Sequence, residues 1–222
     1  MLPRPCGAPP FRDVALYRHF VHEVTSFRVF SPRAVLDFVR RHMDSATMRR
    51  LILLRHAKAD PAAAGQTDHA RKLAPRGLAS AEVVGAYMAR HHLVPDRVLC
   101  STAQRTRETW AGVAAAFSPA PEVVFERRLY GAEADKILAA VAGQPDEAET
   151  VMVVGHNPGL HVLATRLIAA GDVESREALR EKLPTAGLVV IDFAVEAWAD
   201  VHPLGGRLDR FLVPRSLDDA TH

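Results

Sequence analysis

Two short apolar runs stand out along the chain. Leu51-Ile52-Leu53-Leu54 leads without interruption into Arg55-His56, and Val151-Met152-Val153-Val154 leads into Gly155-His156. A run with no polar face fits a strand covered on both sides. From Met48 onward the pattern alternates between strand-like and helix-like segments. Strands are predicted over Leu51–Leu54, Arg97–Cys100, Glu122–Phe125, Val151–Val154 and Leu188–Phe193, with a weaker one over Trp198–His202. Helices are predicted from about Gly77 to His91, where Leu78, Ala81, Val84 and Met88 recur at helical spacing, and over Gln104–Phe117 and Ala134–Ala142. A fourth helix should start near Pro158 and reach about Ala170. This rhythm implies an α/β fold: three layers, α/β/α, with a mostly parallel central sheet.

Residues 1–47 break the rhythm. They open on Pro3, Pro5, Pro9 and Pro10, then show two weak helical patterns, Val14–Val24 and Ser31–Met43. Ser31-Pro32 is a good N-cap and N1 pair. No catalytic motif lies there, and a start at Met48 would still give a complete compact domain. The reading is an N-terminal extension over 1–47, either poorly ordered, loosely docked, or a misassigned start. The domain itself then covers 48–215, and 216–222 is a polar tail.

Composition narrows the class. Of 222 residues, 28 are Lys or Arg and 26 are Asp or Glu, for a net charge of +2. That balance argues against a nucleic-acid surface and favours a local positive pocket for a small anion. Cys6 and Cys100 make no disulfide framework, and Cys100 closes an apolar run as a small core residue would. No stretch is long and apolar enough for a membrane span or a secretory signal, so the expected location is the cytoplasm.

The chemistry concentrates where strands end. Open α/β sheets bind ligands at the carboxyl ends of their strands. Four segments put reactive residue types there: Arg55-His56-Ala57-Lys58-Ala59, the loop from Asp68 through Arg71 to Gly77, Ser101 to Thr109, and Gly155-His156-Asn157-Pro158-Gly159. A phosphoryl group explains the set economically. Arg55 and Arg105 offer planar forks matched to phosphate oxygens. Pro158 marks a helix start, whose free N–H groups favour an anion. Gly155 allows close approach, and a neutral imidazole is a competent nucleophile near neutral pH.

These residues resemble the histidine phosphatase superfamily, the fold shared by phosphoglycerate mutases and many phosphatases. The match comprises Leu54-Arg55-His56, Ser101 with Arg105 and Thr109, and Gly155-His156. The small bacterial SixA-like branch is most similar, through Arg55-His56-Ala57-Lys58-Ala59, Asp68 with Arg71 and Leu73, Gly155-His156-Asn157-Pro158 and Leu183-Pro184-Thr185-Ala186. The resemblance implies a phosphoglycerate mutase-like fold without a large cap domain, because only Ser118–Thr150 separates the second helix from the strand ending at His156. It implies that His56 attacks phosphorus, while Arg55, Arg105 and His156 bind the phosphoryl oxygens. Arg71, Asn157 and Ser101 would contact substrate. No metal and no cofactor is implied.

The proton donor stays open. Where the acid-phosphatase branch has an Asp after its second histidine, this chain has Asn157. Asp68 on the pocket loop, Glu133, or no group at all could serve. The substrate is expected to be a phosphorylated protein, with phosphohistidine foremost. A small-molecule phosphomonoesterase and a phosphate-binding module without activity are the alternatives. His69, Lys58, Arg76, the His91-His92 pair and His161 read as loop, surface or packing residues, and no dense metal-ligand motif links the histidines.

Overall fold

The computed structural model describes residues 48–214. The two helical patterns expected before Ser45 and the polar tail lie outside those residues. Seven strands form one sheet: β1 (Met48–Arg55), β2 (Arg97–Ser101), β3 (Glu122–Glu126), β4 (Thr150–Gly155), β5 (Ile168–Gly171), β6 (Leu188–Ala194) and β7 (Gly206–Leu212). Their order is β3-β2-β4-β1-β6-β7-β5. The first four in that order are parallel neighbours. β6 is antiparallel to both β1 and β7, and β7 is parallel to β5. One strand, β6, therefore runs against the other six. Among the described residues five helices accompany them: α1 (Pro75–Arg90), α2 (Gln104–Ala114), α3 (Ala134–Ala142), α4 (Gly159–Leu167) and α5 (Val173–Glu181).

The uninterrupted apolar strands divide their side chains between two cores. Leu51, Leu53, Val151 and Val153 join Ile137, Leu160, Leu163 and Leu179 on one face. Ile52, Leu54, Met152 and Val154 join Val84, Met88, Trp110 and Val113 on the other. This is the three-layer arrangement the alternation implied: α3, α4 and α5 on one side, α1 and α2 on the other. Leu51 through Leu54 are all completely buried. Full burial of such a side chain is worth roughly 1.5–3 kcal/mol, so the end of β1 is a rigid place from which to hold a reactive group. Between α2 and β4 the chain forms only β3, a 3₁₀ turn at Arg127–Leu129 and α3, with no large cap.

Register then fixes what emerges at the sheet edge. Arg55 pairs with Gly155 across β1 and β4, so His56 and His156 leave the sheet side by side. The His56 N–H closes the ladder on the Gly155 carbonyl at 3.1 Å. Cys100 pairs with Val154, which brings Ser101 to the same level from β2.

The second half of the chain departs from the sequence pattern. The fourth helix ends at Leu167 instead of continuing to Ala170, because Ile168–Gly171 pairs with β7. The helix α5 leaves no helical pattern in the sequence: Leu179 is its one buried residue, too little for an apolar stripe. The strand expected over Trp198–His202 is a 3₁₀ turn at Trp198–Asp200. The Trp198 ring is fully buried, and its indole N–H donates to the Ala148 carbonyl at 2.6 Å. The last strand lies later, at Gly206–Leu212, where Arg207, Asp209 and Arg210 interrupt the apolar signal around buried Leu208. The second helix stops at Ala114, short of Phe117. Pro158 is the N-cap of α4, and Gly159 is its first residue.

Gly159 has a steric role. A Cβ there would sit 1.9 Å from the Ala132 carbonyl oxygen, so the segment before α3 packs directly on the start of α4. Gly159→Ala should lower the unfolding free energy by about 1–3 kcal/mol, in the range of overpacking substitutions. Chemical denaturation checks this, and an unchanged midpoint would show that the segment yields freely.

Candidate active site

The end of β1 delivers Arg55 and His56, and the next residue fixes the state of the imidazole. His56 Nδ1 lies 2.8 Å from the Ala57 carbonyl oxygen, which can only accept, so Nδ1 carries the proton. The lone pair is then on Nε2. Ala57 is itself anchored, since its N–H donates to Thr109 Oγ1 at 2.9 Å. The Thr109 hydroxyl donates in turn to the Arg105 carbonyl at 2.6 Å. Thr109 is fully buried. One threonine thus ties the residue after His56 to the helix that carries Arg105.

His156 stands beside His56, with ring centroids 5.2 Å apart. Its Nδ1 is 3.3 Å from Arg105 Nη2, a group that can only donate. The proton of neutral His156 is therefore on Nε2, which donates to Ser101 Oγ at 2.8 Å. Ser101 is completely buried. It backs His156 and does not open onto the cleft, unlike the substrate contact the sequence suggested. Burial pushes His56 down to about 4 and His156 down to about 3, and the nearby guanidinium of Arg105 adds to both shifts. Both rings are neutral near neutral pH.

Arg105 is buried, and its fork is held by Asp68. Nη1 donates to the Asp68 carbonyl at 2.7 Å and Nη2 to Asp68 Oδ2 at 3.0 Å. Asp68 also accepts from Arg71 Nη1 at 2.8 Å and from the Tyr130 hydroxyl at 2.7 Å. These hydrogen bonds, Arg71 first and then Tyr130, hold the Asp68 carboxyl well below the ordinary range. Asp68 is ionised and has no proton to give, which counts against it as the proton donor. Glu133, the other carboxylate weighed from sequence, is exposed at the N-cap of α3. From that segment it is Tyr130 that reaches the cluster.

Arg55 Nη1 donates to the Leu183 carbonyl at 2.9 Å, and Asn157 Nδ2 donates to the same oxygen at 2.9 Å. The Leu183–Ala186 segment is thereby stitched to both strand ends. Ala186 adopts φ +55°, and its N–H faces the Arg55 and His56 carbonyls at 3.1 and 3.2 Å. Asn157 thus holds the loop. Its Oδ1 and Arg55 Nε are buried without a hydrogen-bond partner. The Arg71 Nε donates to the Asp60 carbonyl at 2.8 Å, so Arg71 clamps the loop around Asp68.

Tyr130 and His69 are the members of this group that sequence reading passed over or set aside. Tyr130 follows a 3₁₀ turn after β3, and neither periodicity nor motif marks it. Among the described residues no group of three or more His, Cys, Asp or Glu side chains could hold a metal ion. The positive field around His56 comes from Arg55, Arg105 and Arg71.

Comparisons with known proteins point to one family. The profile of the histidine phosphatase superfamily (branch 1) matches residues 51–135, a span that includes Arg55, His56, Asp68, Arg105 and Tyr130. An uncharacterized protein of Mycobacterium tuberculosis is 40% identical over 167 residues, covering 73% of this chain and 100% of that protein. Two solved structures are named as candidate phosphohistidine phosphatases SixA. The one from Nakamurella multipartitia is 33% identical, with a TM-score of 0.66, over 75% of this chain and 96% of that one. The one from Agrobacterium tumefaciens is 35% identical, with a TM-score of 0.64, over 75% and 98%.

The buried neutral rings set a pH dependence. Unfolding returns each histidine to its ordinary value of 6.5, so below that value the unfolded chain binds more protons. The contribution of these two rings is therefore full above about pH 6.5 and is lost as the pH drops toward about 4 for His56 and about 3 for His156. Titrating His56 by NMR in phosphate-free protein should give a midpoint near 4. A midpoint near 6.5 would mean that the ring is solvated.

Proposed function

The chain belongs to the histidine phosphatase superfamily, in its SixA-like branch, and we propose that this phosphatase hydrolyses protein-borne phosphohistidine in the cytoplasm through a covalent intermediate on His56. The observation that carries the reading is the tautomer of His56. With Nδ1–H bound to the Ala57 carbonyl, Nε2 presents its lone pair among Arg55, Arg105 and His156.

In the first step the His56 Nε2 lone pair forms a bond to phosphorus as the P–N bond of the substrate breaks. Arg55 and Arg105 stabilise charge on the phosphoryl oxygens, since phosphoryl transfer depends mainly on positioning and electrostatics. A phosphohistidine protonated on its far ring nitrogen departs as neutral imidazole, so no proton need be delivered to the breaking bond. In the second step water forms a P–O bond, the Nε2–P bond breaks, and phosphate leaves with the proton going to phosphate or solvent. The proton on Nδ1, held by Ala57, lets His56 depart as a neutral ring in its turn.

The substrate class follows from what the site lacks. A phosphomonoester leaves as an alkoxide and needs an acid. Asp68 is ionised, and Asn157 stands where an acid could follow His156. A P–N bond suits such a site. Ser101 then positions His156, and Asp68 positions Arg105 through Oδ2, while Asn157 and Arg71 hold the loops around them.

His56→Ala should abolish phosphate release from a phosphohistidine protein while the variant still folds and unfolds in a single cooperative transition. Retained turnover would overturn the mechanism. Asp68→Asn separates positioning from acid catalysis. The Asp68–Arg105 pair is open to solvent on the Asp68 side, so its charge is worth about 1 kcal/mol, or roughly fivefold, whereas a general acid contributes about 10²–10⁴-fold. Turnover of phosphohistidine by Asp68→Asn should fall by the smaller amount; a loss of a hundredfold or more would restore Asp68 as the acid. Rapid hydrolysis of phosphomonoesters, with none of phosphohistidine, would support a small-molecule phosphatase instead.

A further inference from the structure

The nucleophile and its clamps occupy the floor of the site, and the groups above them are of a different kind. His156 and Arg105 are buried at 6% exposure, whereas Tyr130 is 37% exposed and the Asp68 side chain 52% exposed. An in-line displacement by His56 sends the leaving group away from the floor, toward solvent. The more exposed groups joined to that floor are Asp68, bound to Arg105, Tyr130, packed on His156, and His69, packed on Tyr130.

Their arrangement is ordered. The Tyr130 ring meets His156 nearly at right angles, at 5.5 Å and 88°, and meets His69 at 4.9 Å and 76°. Arg105 Cζ lies 5.8 Å from the same ring centroid. The Tyr130 hydroxyl is pinned to Asp68 Oδ2, and His69 Nε2 lies 3.0 Å from Thr102 Oγ1. Two aromatic rings are thus fixed at a polar exit, where a solvated loop would ordinarily carry mobile charge. A carboxylate has about four acceptor positions. Three on Asp68 are used, two on Oδ2 and one on Oδ1, leaving Oδ1 able to accept once more.

We propose that Tyr130, His69 and the free acceptor of Asp68 Oδ1 form the leaving-group subsite, which receives a planar ring bearing an N–H. The inference rests on the phosphohistidine reading above and deepens it by assigning the residues that select for the ring. The departing imidazole packs against Tyr130 and His69, and its far N–H donates to Asp68 Oδ1. A leaving group without a ring gains none of this. Tyr130 is then a specificity residue, with its phenol a separate anchor for Asp68.

Phosphoramidate provides the control, because it has the same P–N bond and leaves as ammonia. The test compares kcat/KM for a phosphohistidine peptide with that for phosphoramidate, in wild type, Tyr130→Ala, Tyr130→Phe and His69→Ala. Aromatic contacts of this kind correspond to roughly three- to tenfold. Tyr130→Ala should lower the ratio of the two values by about that factor, and His69→Ala should lower it in the same direction. Tyr130→Phe keeps the ring and should keep the ratio, even if both values drop together through Asp68 and Arg105. An equal loss on both substrates in Tyr130→Ala would overturn the subsite and leave the phosphohistidine reading standing. A wild type inactive on both P–N compounds but active on phosphomonoesters would overturn that reading and the subsite with it.

Discussion

The pairing of Arg55 with Gly155 in adjacent parallel strands is the constraint on which the site depends. Side chains alternate faces along a strand, so a slip of one residue would exchange the two cores as well as separate the histidines. The completely buried residues of β1 and β4 make such a slip expensive. The same packing that stabilises the sheet therefore sets His56 beside His156 and brings Ser101 level with them. Thr109 extends this control from the sheet to α2, because one hydroxyl joins the backbone after His56 to the turn holding Arg105.

Electrostatics builds on that frame. His56 and His156 are neutral because they are buried near guanidinium groups, and each has one ring nitrogen committed to a fixed partner. Asp68 is charged for the opposite reason: it accepts three hydrogen bonds at an exposed edge. The site thus separates a neutral His56 from an anionic Asp68 at its exposed edge. That division suits a substrate whose leaving group needs no proton from the protein and can donate one hydrogen bond.

The central residues were legible because their signal is local. An unbroken apolar run closing on Arg55-His56, and another closing on Gly155-His156, specify strand, burial and sheet edge together. Residues whose place depends on tertiary contacts were not legible. Tyr130 acquires meaning only when the segment after β3 folds back over α4 at Gly159. Ser101 was placed at the strand end, but its direction toward His156 follows from β2 pairing with β4. The late elements failed for the same reason. Trp198 looks like a strand residue yet plugs a core by its indole, β7 hides one buried leucine among charges, and α5 has a single inward side chain. Corresponding evidence from pattern alone is too thin at such positions.

The central claim is that Nε2 of His56 carries the phosphoryl group between substrate and water. Its most direct test is to quench the enzyme during turnover, recover the phosphoprotein under alkaline conditions, and locate the phosphate by mass spectrometry and ³¹P NMR. The account predicts one acid-labile, base-stable phosphate on His56, attached at Nε2 because Nδ1 is held by the Ala57 carbonyl. Phosphate attached to His156, attached at Nδ1 of His56, or absent from the enzyme throughout turnover would contradict it.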